Sequence, residues 1–328
     1  MKTRSILCLF LGLCLIAGRA NGRKPRMVGS RFAEEGRFNY HVSLQILQSA
    51  DRCTVNFCGG TLVTGVYVVT AAHCVTRPGP NREFIREPIV AVAGTTNLED
   101  KESGHQQPVI KIWIPNSYKH GQSVHDIAVL KLAKPFPLRV GGLGRAQVAQ
   151  RFSYPPASPF DATMLGFGVS KQKRKPGQVD SEPASPYLKW APARGNSVPQ
   201  GSEPCPLAQI CVQGTDHVDQ GHLQGPCYVS LIYYLYRRET SSRVDIKIVQ
   251  IFQRDDGSPL VDESTNPHTL VGVASSYSSP VCGSYARYTR VSAHAEFIDK
   301  ILNHNIDHTI ASTSTNVSPY NFADFPHC

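Results

Sequence analysis

The chain has 328 residues, 41% of them hydrophobic, with a net charge of +9 and 10 cysteines. That length suits one large all-β unit or two small domains around a full-sized core. Beyond the leader no run reaches the ~20 apolar residues of a membrane-spanning helix, and no nucleic-acid-binding module accompanies the basic excess.

Lys2 and Arg4 open the chain. Ile6 to Ala17 follows as an apolar run broken only by Cys8, Gly12 and Cys14, then the small residues Gly18 and Ala20. This pattern predicts a secretory signal peptide over 1–20, cut after Ala20 or Gly22, and hence a soluble, extracellular mature chain. Residues 21–26 form a short propeptide. Strand-sized runs come next. Tyr40, Val42, Leu44 and Ile46 alternate on one face of Tyr40–Leu47; Val66–Val69, Ile89–Val92, Val109–Ile114, Ile127–Leu132 and Val271–Ala274 are further strands. Many short strands with regular turn signals mean a sandwich or a barrel. Pro155–Pro159 and Lys171–Pro186 are surface loops. The second holds the basic run Lys171–Lys175, a solvated segment or a docking patch for an acidic partner or polyanion. One helix is predicted, Ser292–Asn303, with Phe297, Ile298, Ile301 and Leu302 at helical spacing and Ser292 as its N-cap. Residues 304–328 are a polar tail carrying the glycosylation sequon Asn316-Val317-Ser318.

Cys8 and Cys14 leave with the leader. Cys53, Cys58, Cys74, Cys205, Cys211, Cys227, Cys282 and Cys328 remain, an even number, which in a secreted chain favours disulfides. No pair has zinc-ligand spacing, so no metal is expected, and no cofactor.

The chemistry-bearing motifs stand in a telling order. Cys58-Gly59-Gly60-Thr61-Leu62-Val63 precedes Thr70-Ala71-Ala72-His73-Cys74, and Asp126-Ile127-Ala128-Val129-Leu130 opens a later strand. Arg26-Met27-Val28-Gly29-Ser30 stands before them; Leu165-Gly166-Phe167-Gly168 and Tyr288-Thr289-Arg290-Val291 follow. In this order the chain resembles the chymotrypsin/trypsin-like (peptidase S1) family from about Met27 to Asn303. The resemblance implies an all-β fold of two six-stranded antiparallel barrels with a C-terminal helix. The trypsin-like domain is 27–303, its barrels about 27–145 and 146–303. It makes His73 the general base and Asp126 the buried carboxylate that orients it.

The nucleophile departs from the pattern. Where the family reads Gly-Asp-Ser-Gly-Gly-Pro, this chain has Arg254-Asp255-Asp256-Gly257-Ser258-Pro259. Asp256 takes the serine's place, giving a degenerate triad, and loss of the nucleophile typically costs about a millionfold in rate. Arg254 and Ser258 replace glycines. Ser258 lies two residues past the elbow, where a side chain should point elsewhere. Asp255 keeps the family's aspartate. If the chain is cut after Arg26, the resemblance implies that the new amino terminus at Met27 pairs with Asp255 and orders the substrate pocket.

The family's cysteine before the elbow is matched by Cys227 only if 229–253 is set aside. That stretch lacks Gly, Pro, Ala and Cys and is rich in Ile and Tyr. Its ends, Val229-Ser230 and Phe252-Gln253, can be encoded by GTAAGT and TTTCAG, splice-donor and splice-acceptor consensus sequences. It is a retained intron, or a real insertion in which Val244, Ile246 and Ile248 alternate as a strand. With 227 joined to 254, Gly225 falls at the base of the specificity pocket, and Ser275, Tyr277 and Ala286 line it. An acidic base for Lys or Arg is then missing, and Tyr277 narrows the entrance. The resemblance further implies the disulfides Cys58–Cys74, Cys205–Cys211 and Cys227–Cys282, leaving Cys53 and Cys328 to pair together or between chains.

The function expected is that of a secreted, insect-like inactive protease homologue that binds an extracellular protein such as a protease, inhibitor or cascade component, in an immune or seminal-fluid setting. The rival is an active serine endopeptidase without trypsin specificity.

Overall fold

The computed structural model describes residues 30–48, 53–77, 83–138, 143–151, 159–168, 185–196, 205–214, 255–277 and 286–315. Its strands in chain order are β1 Arg31–Phe32, β2 His41–Gln48, β3 Cys53–Leu62, β4 Tyr67–Thr70, β5 Val90–Ala93, β6 His105–Pro115 and β7 Ala128–Leu132, then β8 Gln147–Val148, β9 Phe160–Gly166, β10 Lys189–Gly195, β11 Gln209–Gly214, β12 Pro259–Asp262, β13 Thr269–Tyr277, β14 Ala286–Arg290 and β15 Ile310–Ser314.

They form two closed six-stranded antiparallel barrels. The first runs β5-β2-β3-β4-β7-β6 and closes where β6 pairs with β5. The second runs β9-β10-β11-β14-β13-β12 and closes where β12 pairs with β9. Closure leaves no open sheet edge within either barrel. Three short strands attach outside: β1 on β10, β8 parallel to β13, and β15 on the 111–115 stretch of β6.

The expected strands are all present with shifted ends: Ile89–Val92 is β5, Val109–Ile114 extends into the longer β6, and Val271–Ala274 is the middle of β13. In β2 the apolar alternation holds, with Tyr40, Val42 and Leu44 in the core. The opposite face, His41, Ser43 and Gln45, is buried too, which period-two reasoning assigns to solvent. Ser43 donates to Asn56 at 2.7 Å and Gln45 to Ser43 at 3.1 Å, while the His41 ring meets Phe167 from the second barrel. β15 has no counterpart among the expected strands; it lies in the segment assigned to the tail.

The terminal helix differs at its start. Val291–His294 is a 3-10 turn, and the helix, α1, is Ala295–Leu302. Its N-cap is His294, with no side-chain cap bond, so Ser292 is not the cap. The tighter turn takes up the first residues of the apolar pattern and leaves Ser292 buried inside it. Ile298 and Ile301 carry the apolar face into the core.

Candidate functional site

His73 sits in a 3-10 turn, Ala72–Val75, that leaves β4, and a disulfide between Cys58 and Cys74 pins this turn to β3. Asp126 precedes β7, the neighbour of β4 in the sheet, so the two side chains meet at one end of the first barrel. His125, just before it, has φ 60, and the Ile127 N–H donates to the His125 carbonyl at 2.8 Å. This turn aims the Asp126 carboxylate inward.

Asp126 is 2% exposed, and its carboxylate is satisfied three times. The His73 backbone N–H donates to Oδ1 at 2.8 Å, His73 Nδ1 to Oδ2 at 2.7 Å, and the Ser275 hydroxyl to Oδ2 at 2.6 Å. Thr289 adds a bond to the Asp126 carbonyl at 2.8 Å. Burial alone would raise the carboxyl's pKa, but the charge and hydrogen bonds of His73 and the Ser275 bond outweigh it and hold Asp126 below the ordinary range.

On the other face of the ring, His73 Nε2 lies 3.5 Å from Asp256 Oδ2. Burial works to lower the imidazole pKa. Asp126, by charge and hydrogen bond, and then Asp256 overcome that and raise it well above the usual value. His73 thus sits between two acidic side chains, both of which favour its protonated form.

The segment carrying Asp256 is a tight turn. Ser258 N–H donates to the Asp255 carbonyl at 3.0 Å, Gly257 N–H to Ala274 at 2.8 Å, and Gly59 N–H to the Asp256 carbonyl at 2.7 Å. Gly257 has φ +78, where a side chain is strained, and a Cβ there would meet Thr70 Oγ1 at 2.2 Å. Asp255 turns away from His73 and is 3% exposed. It lies against Gly166 and Gly168, where a Cβ on either would come within 1.9 Å of its carboxylate oxygens. The Gly168 N–H donates to Oδ1 at 2.5 Å. Burial pushes the Asp255 carboxyl up to about 7; the Gly168 bond and the Lys189 charge oppose this, and the Asp256 charge adds to it. Ser258 is fully buried, 3.4 Å from His41 and not at His73.

The structure thus brings His73, Asp126, Asp256 and Ser275 together and puts Asp255 beside them on a separate cradle. In the sequence Ser275 is a pocket residue; here its hydroxyl is spent on Asp126. Ala286 is buried on β14, opposite Tyr277 in the ladder. Arg26, Met27, Gly225, Arg254, 229–253, Cys227, Cys282, Cys328, Lys171–Lys175 and Asn316 lie outside the described residues. Cys205–Cys211 is bonded as expected, and Cys53 is disulfide-bonded as well. Cys58, His73 and Cys74 cluster closely enough to hold a metal, but both sulfurs are committed to their disulfide. Three supporting residues were missed by the sequence: Thr289, His41 and Lys189. Thr289 was visible inside Tyr288-Thr289-Arg290-Val291; nothing local marks the other two.

The comparisons agree with this architecture. The protein-family model for Trypsin matches residues 27–182. Coagulation factor IX of Oryctolagus cuniculus is 27% identical over 272 residues, covering 81% of each chain. Coagulation factor IX of Cavia porcellus is 38% identical over 116 residues, 34% of this chain and 36% of that protein. Among solved structures, human heparin-binding protein superposes with a TM-score of 0.56 at 21% identity, covering 89% of this chain and 99% of that one. An atomic-resolution structure of HBP gives 0.55 at 22% identity, covering 84% and 96%. The fold is trypsin-like, and the family model and these relatives are what the chain is similar to. Among the described residues no helix is long and apolar enough to cross a membrane.

Proposed function

We propose that this chain is a secreted, non-catalytic serine protease homologue that acts by binding another extracellular protein. The observation that carries the reading is the carboxylate of Asp256, 3.5 Å from His73 Nε2, where the family's hydroxyl would stand. Acyl transfer through a carboxylate would give an anhydride, a poor intermediate for peptide cleavage. The acidic neighbours weaken the base as well, because they favour the protonated imidazole, which has no lone pair with which to take a proton. His73 and Asp126 keep their 2.7 Å pairing, and Asp256 offers no hydroxyl for them to activate.

The rival, an active endopeptidase, needs another nucleophile. Ser258 is the nearest in sequence, and its burial against His41 and Gly59 argues against that role. The secreted setting rests on the leader, and the partner class (a protease, inhibitor or cascade component) on the family resemblance.

The test is labelling of the secreted protein, cut after Arg26, with a fluorophosphonate serine-hydrolase probe, beside Asp256→Ser. Absence of label on the natural protein is the expected result. Label that disappears on Ser258→Ala would overturn the proposal.

A further inference from the structure

We propose that Cys53 is joined to Cys328 by an intrachain disulfide that straps residues 316–328 back onto the first barrel. Cys53 is disulfide-bonded, while Cys58 and Cys74 bond to each other, as do Cys205 and Cys211. Once the leader removes Cys8 and Cys14, its partner is Cys227, Cys282 or Cys328. The course of the strands decides among them. The Val109 N–H donates to the Ile89 carbonyl at 2.9 Å, and the Thr315 N–H to the Ile110 carbonyl at 3.1 Å. β15 and β5 therefore lie end to end along one edge of β6, and Ile89 occupies the place that a longer β15 would take. From β5 the sheet steps to β2 and then to β3, where Cys53 lies opposite Gln48. At ~4.8 Å per step, Thr315 is roughly 10–15 Å from Cys53. Residues 316–328 are thirteen in number and reach ~43 Å when extended, far more than the gap requires.

Cys282 is tethered elsewhere. It stands four residues before Ala286, which pairs with Tyr277 on the second barrel, and four residues reach only ~14 Å. Ser275, two residues before Tyr277, bonds Asp126 at the His73 end of the first barrel. Cys53 is at the other end of β3, five residues and ~17 Å of strand from Cys58, whose disulfide pins the His73 turn. With Cys53 taken by the tail, Cys227 and Cys282 are left for each other. β15 also gains an anchor. Of Ile310–Ser314 only Ile310 is buried, so the strand holds to β6 by backbone bonds with little apolar burial. A crosslink beyond it keeps this short polar strand in place, and a ring from 53 to 328 takes freedom from the unfolded chain. Closure turns two thiols into one S–S bond. Their two electrons and two protons pass by thiol–disulfide exchange to a disulfide oxidant of the secretory pathway, which leaves as a dithiol. The strap requires secretion, and it stands whether or not the chain cleaves peptides.

The experiment is mass-spectrometric mapping of peptides from the full-length secreted protein, digested without reduction and in acid so that disulfides do not exchange. A peptide containing Cys53 joined to one containing Cys328 is expected, from protein that runs as a monomer on a non-reducing gel. Cys328→Ser should then expose one reactive thiol per chain, at Cys53. It should also speed amide hydrogen exchange in 311–315 by at least about tenfold. Exchange in β7, held on both sides by β4 and β6, should stay as it was. If Cys328→Ser fails to fold, the map of the natural protein decides alone. Cys53 found as a free thiol, or joined to Cys227, to Cys282 or to a second chain, would overturn the proposal.

Discussion

Ser258 Oγ lies 3.4 Å from His41 Nε2, inside the protein and facing away from the cleft. The serine is packed so closely on β3 that a Cβ at Gly59 would sit 1.9 Å from its hydroxyl oxygen and 2.9 Å from its Cα. Gly59→Ala should therefore force the turn outward and destabilise the fold by about 1–3 kcal/mol, the usual range for overpacking. Urea unfolding followed by tryptophan fluorescence measures it. Adding Ser258→Gly should recover part of the loss, because it removes the hydroxyl oxygen and its Cβ but leaves the backbone overlap. Equal stability of Gly59→Ala and wild type would mean that Ser258 is free to swing toward His73.

His41 sets a second expectation. Burial lowers its pKa from 6.5 to about 3, and its Nδ1 has no hydrogen-bond partner among the described residues. The folded protein binds this proton more weakly than the unfolded chain. Its contribution to stability is thus fully present above pH 6.5 and is lost as the pH falls toward 3. His41→Gln should flatten the acid side of the stability profile across that window. A profile with the same acid slope in wild type and variant would sink the idea.

Much of this was legible in the sequence, and the exceptions have physical causes. His73, Asp126 and Asp256 were found because short contiguous motifs carry them, and the structure brings their side chains within reach of one another. The strands of the first barrel were readable because buried apolar runs such as Ile127–Leu130 are flanked by turn residues. Lys189 was not readable, since a lysine beside Trp190 looks like an exposed strand residue. Only the second barrel's closure buries it to 1% exposure. His41 was missed for the same reason, as the partner that buries its face is distant in sequence. Ser292 misled because the cap rule presumes an α-helical first turn, and the chain makes a 3-10 turn there.

Asp255 should respond to pH in the opposite sense. Its folded pKa is raised from 3.8 to about 7, mainly by burial. The stability it contributes is present below about pH 4 and is lost as the pH rises toward 7. Relative to wild type, Asp255→Asn should gain stability across that interval in the uncut protein. Cleavage after Arg26 reverses the comparison if Met27 brings its ammonium to this carboxylate. Wild type should then become more protease-resistant on cleavage, and Asp255→Asn should not. A cleavage-dependent gain that survives Asp255→Asn would exclude the pairing.

Ser275 tests whether Asp126 is held as a charge. The Ser275 hydroxyl donates to a buried carboxylate, and a hydrogen bond to a charged group is worth roughly 1.5–3 kcal/mol. Two bonds from His73 remain when it is lost, so Ser275→Ala should cost near the lower end, about 1.5 kcal/mol, by chemical denaturation at neutral pH. Asp126 titrates below its ordinary 3.8, so its ionised form is the stabilising one: the contribution is present above that pH and lost as the pH falls through the folded value. The penalty of Ser275→Ala should shrink with it as the solution is acidified below 3.8. A penalty that stays constant into acid would mean the hydroxyl serves packing alone, and the carboxylate that orients His73 would owe its charge to the imidazolium and not to Ser275.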